Sequence, residues 1–128
     1  MVVIVEVGRM SVKAGGGNVN CPLHDVHEKR VYLVNGKAVQ VYVDGESASQ
    51  WMNKLAIEQN APTFPIGRRS KAVVLRENCG WGIWLNIGQQ GFSQYHMWVI
   101  CDEGLDQDEL HFLIARLEKE LEEEMDVE

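Results

Sequence analysis

Apolar and polar residues alternate along RVYLVNGKAVQVYVDG, residues 30–45, as they do in half-buried β-strands. The two alternating runs are separated by Asn35 and Gly36, which supply the positive φ angles that a tight hairpin turn requires. The N-terminal segment MVVIVEVGRMSVK predicts another strand. The first third of the chain is therefore predicted to hold a β-hairpin and a separate strand.

Three later segments also alternate and predict strands: SKAVVLREN, CGWGIWLNIG and SQYHMWVIC, which span residues 70–78, 79–88 and 93–101. A glycine-containing turn around residues 89–91 joins the last two segments into a second hairpin. We expect the preceding segment APTFPIGRR, residues 61–69, to be a loop.

Two segments show the 3.6-residue period of an amphipathic helix. Residues 46–60 contain a Ser47–Gln50 capping box and the apolar stripe Ala48, Trp51, Met52, Leu55 and Ala56. In the final segment, Asp106 is the predicted N-cap and Glu109 completes a second capping box. The apolar stripe of this helix comprises Leu110, Leu113, Ile114, Leu117, Leu121 and Met125. Both segments are therefore predicted to be helices.

These elements predict a single α+β domain over residues 1–128. Its largely antiparallel sheet has five to six strands, from two hairpins and the N-terminal strand, and two helices pack on one face. The composition, 45% apolar and 24% charged, is that of a globular domain that folds without a metal or a disulfide. The longest apolar run, VVIV, is too short to span a membrane, and three irregularly spaced cysteines argue against a secreted disulfide framework. We expect a cytoplasmic protein that does not bind membranes.

The net charge of -7 is concentrated at one end of the chain. From Asp102 onward twelve acids face two bases, a balance of -10, whereas the first 101 residues carry ten bases and seven acids. Because mimicry of DNA needs negative charge over the whole body, this distribution disfavours it. The acidic residues 119–128 add negative charge at the negative end of a helix dipole, so this end should fray. A basic partner surface could dock there, on Glu122, Glu123 and Glu124.

The segment CPLHDVHEKR places Cys21, His24 and His27 within a glycine-rich loop, at a spacing suited to half of a zinc site. The same loop would be the centre of a thiol enzyme, with Cys21 as nucleophile, a histidine as base and Asp25 as the orienting acid. Neither a second ligand pair nor a nucleophile elbow accompanies it. We therefore expect no cofactor and no enzymatic activity. The first alternative is a metal- or thiol-dependent enzyme centred on Cys21, His24 and His27. In its zinc version Cys79, His96, Cys101 or His111 supplies a fourth ligand.

The second hairpin predicts an aromatic patch. If Trp81, Ile83, Leu85 and Ile87 face the core, then Trp84 and Asn86 point to the opposite face of the sheet. Gln94, His96 and Trp98 share that face. Either this patch is open and binds a partner, or the N-terminal strand or the long loop covers it as ordinary core. The alternation by itself does not decide between the two.

A non-enzymatic protein-binding module is the function that these observations favour, acting as an inhibitor, immunity or anti-defence factor. The size and element order of the chain, with its helix, proline-rich loop and glycine-bearing hairpin, are loosely similar to those of some bacterial toxin-immunity proteins. A second alternative is binding of RNA or single-stranded DNA, because the basic segment PIGRRSK, residues 65–71, adjoins the aromatic face. The acidic C-terminal segment would repel phosphate. The sequence specifies neither the partner nor the oligomeric state.

Overall fold

A computed structural model describes residues 1–11, 26–44, 62–75, 80–87 and 93–126. The described residues form seven strands and one helix: β1 Ile4–Ser11, β2 Val26–Val34, β3 Lys37–Asp44, β4 Thr63–Ile66, β5 Ser70–Leu75, β6 Gly80–Ile87, β7 Ser93–Ile100 and α1 Gln107–Asp126. All strands join one antiparallel sheet in the order β1-β2-β3-β7-β6-β5-β4. The predicted α+β class with an antiparallel sheet is confirmed, with seven strands instead of five to six.

The additional strand is β4, which lies in the segment predicted to be a loop. Phe64 pairs with Ala72 and Ile66 pairs with Ser70, so both apolar side chains share a face of the sheet. Pro65 has no N–H to donate, but a strand at the edge of a sheet needs only one bonded side. The prediction of a loop over residues 61–69 was therefore wrong for Thr63–Ile66.

The β2–β3 turn has the predicted conformation. Asn35 and Gly36 have φ angles of 49° and 82°, as a tight hairpin turn requires. The turn also holds the N-terminus, because the backbone N–H of Val3 donates to Asn35 Oδ1 at 2.9 Å and the N–H of Asn35 donates to the Val3 carbonyl at 2.8 Å. One turn thus closes a hairpin and anchors the chain ahead of β1.

Helix α1 begins with the predicted capping box. The backbone N–H of Glu109 donates to Asp106 Oδ1 at 2.8 Å, and the N–H of Asp106 donates to Glu109 Oε1 at 2.9 Å. Its apolar stripe is buried against one face of the sheet, with Leu110, Leu113, Ile114, Leu117 and Leu121 in the core. The described part of the chain holds no helix long and apolar enough to cross a membrane. The helix predicted at 46–60 lies outside the described residues.

The acidic last turns of α1 bind arginines of the sheet. Arg30, whose side chain is 2% exposed, bonds Glu124 at 2.8 Å and Glu120 at 3.3 Å, and it also bonds Glu28. Burial alone would lower the pKa of Arg30, but the hydrogen bonds that it donates to Glu124 and Glu28 raise the pKa above its usual value. Arg9 bonds Glu124 at 2.5 Å from β1. Negative charge at this end of α1 is therefore neutralised within the fold, and whether the end frays in solution stays a prediction.

Candidate functional site

The predicted aromatic face has the register that its alternation predicts. Trp84 is opposite His96, and Gly82 is opposite Trp98, across the β6–β7 pair. Residues of directly paired positions share a face, so the three aromatic side chains lie together on the side away from α1. The structure adds Tyr42 of β3, which is opposite Trp98 and has its ring centroid 6.5 Å from the indole.

These aromatic side chains are buried. Trp84, His96 and Trp98 are 6%, 3% and 1% exposed. A Cβ at Gly80 would lie 2.5 Å from Trp98 Nε1, so the indole packs directly on the β6 backbone. The burial of these side chains agrees with the alternative in which this face of the sheet is covered as ordinary core. It does not agree with an aromatic patch that is open to a partner.

The polar residues predicted to border the patch add little open surface. Asn86 is half-buried, and its backbone N–H donates to Ser70 Oγ at 3.2 Å. Gln94 pairs with Asn86 across the strands, but its side chain lies outside the described residues. A partner-binding role for these residues stays a prediction.

The predicted acidic contacts divide into paired and open residues. Glu122 bonds Arg69 at 2.8 Å, and Glu124 bonds Arg30 and Arg9. Glu123 is exposed and makes no ion pair with the described residues. Two of the three glutamates therefore stabilise the fold, and only one is free to meet a partner.

The predicted metal ligands fall largely outside the described residues. Cys21 and His24 are not described, and His27 belongs to β2 without a described side chain. Cys101 is buried in the core beneath α1, whereas His96 lies on the opposite face. The Nδ1 atom of His111 accepts the N–H of Gly67 at 3.2 Å. The described residues contain no group of three potential metal ligands, and the zinc site stays a prediction.

The basic turn between β4 and β5 is neutralised by α1. A polar cavity of about 320 Å³ is lined by Arg68, Arg69, Glu118 and Glu122. Glu122 pairs with Arg69 at 2.8 Å, and this pair together with the Glu118 carboxylate lowers the positive potential that a phosphate would meet. With the neighbouring aromatic rings buried as well, this region lacks the open stacking platform that single-stranded nucleic acid requires.

An apolar groove lies between the start of α1 and strands β4, β5 and β6. It has a volume of about 430 Å³ and is lined by Phe64, Val74, Trp81, Leu105, Asp106, Gln107 and Leu110. Val74 is 47% exposed, and Phe64, Trp81 and Leu105 are half-buried. We call it the β5–α1 groove. Its apolar side chains are open to solvent in part, unlike those of the aromatic face.

The groove exists because α1 starts too late to cover the strand ends. Val74 and Trp81 are opposite each other on the face that α1 covers, and Leu110 is the first core residue of the helix stripe. The strands extend beyond that residue, and among the described residues Leu105, in the loop before α1, lines the groove beside their apolar side chains. The alternation of apolar residues predicted which face of the sheet Trp81 points to. No local sequence pattern, however, indicates where a helix stops covering a sheet.

One wall of the groove is held rigidly. Lys37 Nζ donates to the Gly104 carbonyl at 2.8 Å and to Glu109 Oε1 at 2.5 Å. The Lys37 ammonium, the N–H of Asp106 and the amide of Asn35 lower the pKa of Glu109 to about 2. Glu109 is therefore ionised at neutral pH and fixes both the helix start and the loop beside the groove.

Three further carboxylates lie close to the groove lining along the chain. Asp102 and Glu103 lie in the loop before Leu105, and Asp108 lies in the first turn of α1; all three are exposed. They make no ion pair or hydrogen bond with other described residues. We call these three residues the acidic rim. Unlike Glu120, Glu122 and Glu124 at the far end of α1, they form no ion pair with the described residues, so their charge is available to a partner.

Comparisons with protein-family models, with curated proteins and with solved structures find no match to this chain. The candidate functional site is the β5–α1 groove together with the acidic rim, because the groove has partly exposed apolar side chains and the rim has exposed carboxylates.

Proposed function

We propose that this chain is a cytoplasmic, non-enzymatic protein-binding module that holds an apolar side chain of a basic partner segment in the β5–α1 groove. The observation that carries the proposal is the combination of a partly open apolar groove with nearby carboxylates that form no ion pair with the other described residues. An apolar pocket provides an anchor point, and a charged border provides orientation.

The openness of the groove favours a macromolecule over a small ligand. Sites for small molecules bury about 70–90% of the ligand surface within a concave pocket. Here Val74 keeps nearly half of its surface in solvent, and Phe64 and Trp81 are also only partly buried. Such a groove contacts only one side of an inserted group. This suits an anchor side chain at a protein interface, because the rest of that side chain is covered by the partner protein that carries it.

The charge of the surroundings favours a basic partner. Asp102, Glu103 and Asp108 are exposed and Asp106 lines the groove itself. An acidic partner segment would bring like charges together, whereas lysines or arginines would gain favourable contacts and faster encounter. Because these charges are exposed, the gain falls as salt screens them.

The first prediction is that Val74→Lys abolishes partner binding. A lysine at this position occupies the groove and adds positive charge where a basic segment would dock. Phe112→Lys is the matched control, because Phe112 is similarly exposed at 52% but does not line the groove. Affinity capture from the source cell is carried out with all three proteins. We expect a protein that wild type and Phe112→Lys retain and that Val74→Lys loses.

Identical captured proteins for all three baits would contradict the proposal. A defined probe complements the capture: a hexapeptide with leucine and phenylalanine between pairs of lysines, and its counterpart with glutamates. We expect amide shifts of the wild-type protein at Val74, Trp81 and Leu105 with the lysine peptide alone, and weakening by at least about tenfold in Val74→Lys. An equal response to both peptides would contradict the basic partner. Inhibition of the captured protein's activity would identify this chain as an inhibitor.

A further inference from the structure

Strand β1 is an exposed edge of the sheet. In the described part of the sheet β1 pairs only with β2, over eight residues without a proline. The side chains of Val3, Val5, Val7 and Met10 are 52–60% exposed. The opposite edge is β4, which is four residues long and contains Pro65, two features that protect an edge against pairing. The two edges of this sheet therefore differ, and β1 has the properties of an edge that pairs with another strand.

A bulge in β1 restricts which strand can pair with it. Glu6 is opposite Tyr32 and Gly8 is opposite Val31, so Val7 is an extra residue. A regular strand would lose register with β1 at this point. A second copy of β1 carries the same extra residue, and in an antiparallel pair the two irregularities can face each other across a two-fold axis.

The sequence of β1 is complementary to itself in that arrangement. With Val7 of each copy opposite Gly8 of the other, Glu6 is opposite Arg9, and Val5 is opposite Met10. The two residues of each pair lie on the same face of the combined sheet, because Glu6 and Arg9 point to the α1 side while Val5 and Met10 point to the other side. Opposite charges and exposed apolar side chains thus meet their counterparts on both faces.

The charged side chains of β1 are placed to pair with those of a second copy. Arg9 bonds Glu6 of its own strand, and the side chains of both remain partly exposed, at 35% and 22%. In the two-fold pair each Arg9, which also bonds Glu124 of its own helix, would lie between its own Glu6 and that of the second copy. Each Glu6 is then directly opposite an Arg9, so no like charges are directly opposite across the strand pair.

We propose that two copies of this chain pair through antiparallel β1 strands, with Glu6 opposite Arg9, to form one sheet continuous across a two-fold dimer. This inference is independent of the proposed function, because β1 contributes no residue to the β5–α1 groove. The dimer pairs the outer backbone groups of β1 and brings Val5 of each copy beside Met10 of the other. The two grooves remain open.

Sedimentation velocity over a range of concentrations tests the dimer. We expect wild type to sediment as a dimer at micromolar concentration, and Val5→Lys to raise the dissociation constant by at least about tenfold. Val74→Lys is the matched control, since it places the same charge at an exposed apolar residue far from β1, and its dimer should persist. A monomeric wild type, or a dimer insensitive to Val5→Lys, would overturn the proposal.

Charge exchange tests the register and does not depend on the stability of any one variant. Glu6→Arg places arginines at positions 6 and 9 of one chain, and Arg9→Glu places glutamates at both positions of the other. Each variant alone is expected to be monomeric, while an equimolar mixture should form a heterodimer in which every facing pair is opposite in charge. Circular dichroism verifies that each variant is folded. A mixture no more associated than its components, with both folded, would overturn the proposed register.

Discussion

Glu118 places a buried carboxylate beneath the turn that joins β4 to β5. It accepts the N–H groups of Arg68 at 2.7 Å and Arg69 at 3.0 Å, and the hydroxyl of Ser70 at 2.6 Å. Gly67 begins this turn with a φ of 68°, and a Cβ there would lie 2.8 Å from Glu118 Oε1. A single helix residue therefore fixes a β-turn and excludes any side chain at its first position.

Glu118→Ala should destabilise the fold strongly. The substitution leaves two backbone N–H groups and a buried hydroxyl without their acceptor beneath the turn, at a cost of about 2–4 kcal/mol. Urea denaturation followed by circular dichroism measures the free energy of unfolding. Glu123→Ala is the control, because Glu123 is exposed on the same helix and should change this free energy by less than about 0.5 kcal/mol. Equal stabilities of the two variants would contradict the role of Glu118.

At the scale of single elements, α1 couples folding to pH through its capping box. Glu109 has a pKa of about 2 in the fold and an ordinary value of 4.5. A carboxyl group with a lowered pKa stabilises the fold fully above its ordinary pKa, and this stabilisation is lost as pH falls through the lowered value. The free energy of unfolding should therefore decrease between about pH 5 and pH 2. Glu109→Gln should make this decrease shallower.

Urea denaturation at several pH values measures that slope. Asp108→Asn is the matched control, because Asp108 lies in the same helical turn, is exposed and makes no contact with other described residues. An unchanged slope in Glu109→Gln, or an equal change in Asp108→Asn, would show that the capping box does not carry the pH dependence.

Local signals predicted the elements better than their arrangement. The Asn35–Gly36 turn and the Asp106–Glu109 capping box depend on neighbouring residues, and both occur as predicted. β4 was missed because two prolines obscure four residues whose strand character depends on pairing with β5. The strand order joins β3 to β7, elements separated by about half the chain, and no periodicity specifies such a pairing.

The candidate site was harder to predict than the fold. Alternation assigned Trp84, His96 and Trp98 to one face, but burial depends on what packs over that face and alternation cannot show it. The β5–α1 groove combines residues of β4, β5, β6 and α1, which only the tertiary fold brings together. The sequence held two signals for it: the alternation that assigned Trp81 to the core face, and the concentration of acids from Asp102 onward, which we interpreted as a property of the helix end.

On the scale of the whole molecule, the negative charge of α1 has two different roles. At the end of the helix, Glu120, Glu122 and Glu124 bind arginines at positions 9, 30 and 69, which come from three separate parts of the sheet. Near its start, the three residues of the acidic rim form no ion pair within the part of the chain that the structure describes. The net charge is therefore a poor guide to the binding surface, because much of it is used to attach the helix to the sheet.

Deletion of residues 122–128 should destabilise the protein instead of merely removing a docking surface. The buried Arg30 would lose its bonds to Glu124 and keep those to Glu120 and Glu28. Loss of one carboxylate from a buried arginine costs several kcal/mol in a closed site, but Glu124 is 44% exposed, so we expect about 1–2 kcal/mol. Thermal and urea denaturation of the truncated protein measure this loss.

Two single substitutions separate stability from binding in the same segment. Glu124→Gln should reproduce most of the loss seen on truncation, whereas Glu123→Gln should leave the free energy of unfolding unchanged, because Glu123 has no ion pair with the described residues. If the acidic end were itself the interface, Glu123→Gln would weaken partner capture without any change in stability. If the acidic rim serves that purpose, partner capture should instead respond to Asp102→Asn and Asp108→Asn, at the opposite end of the same helix.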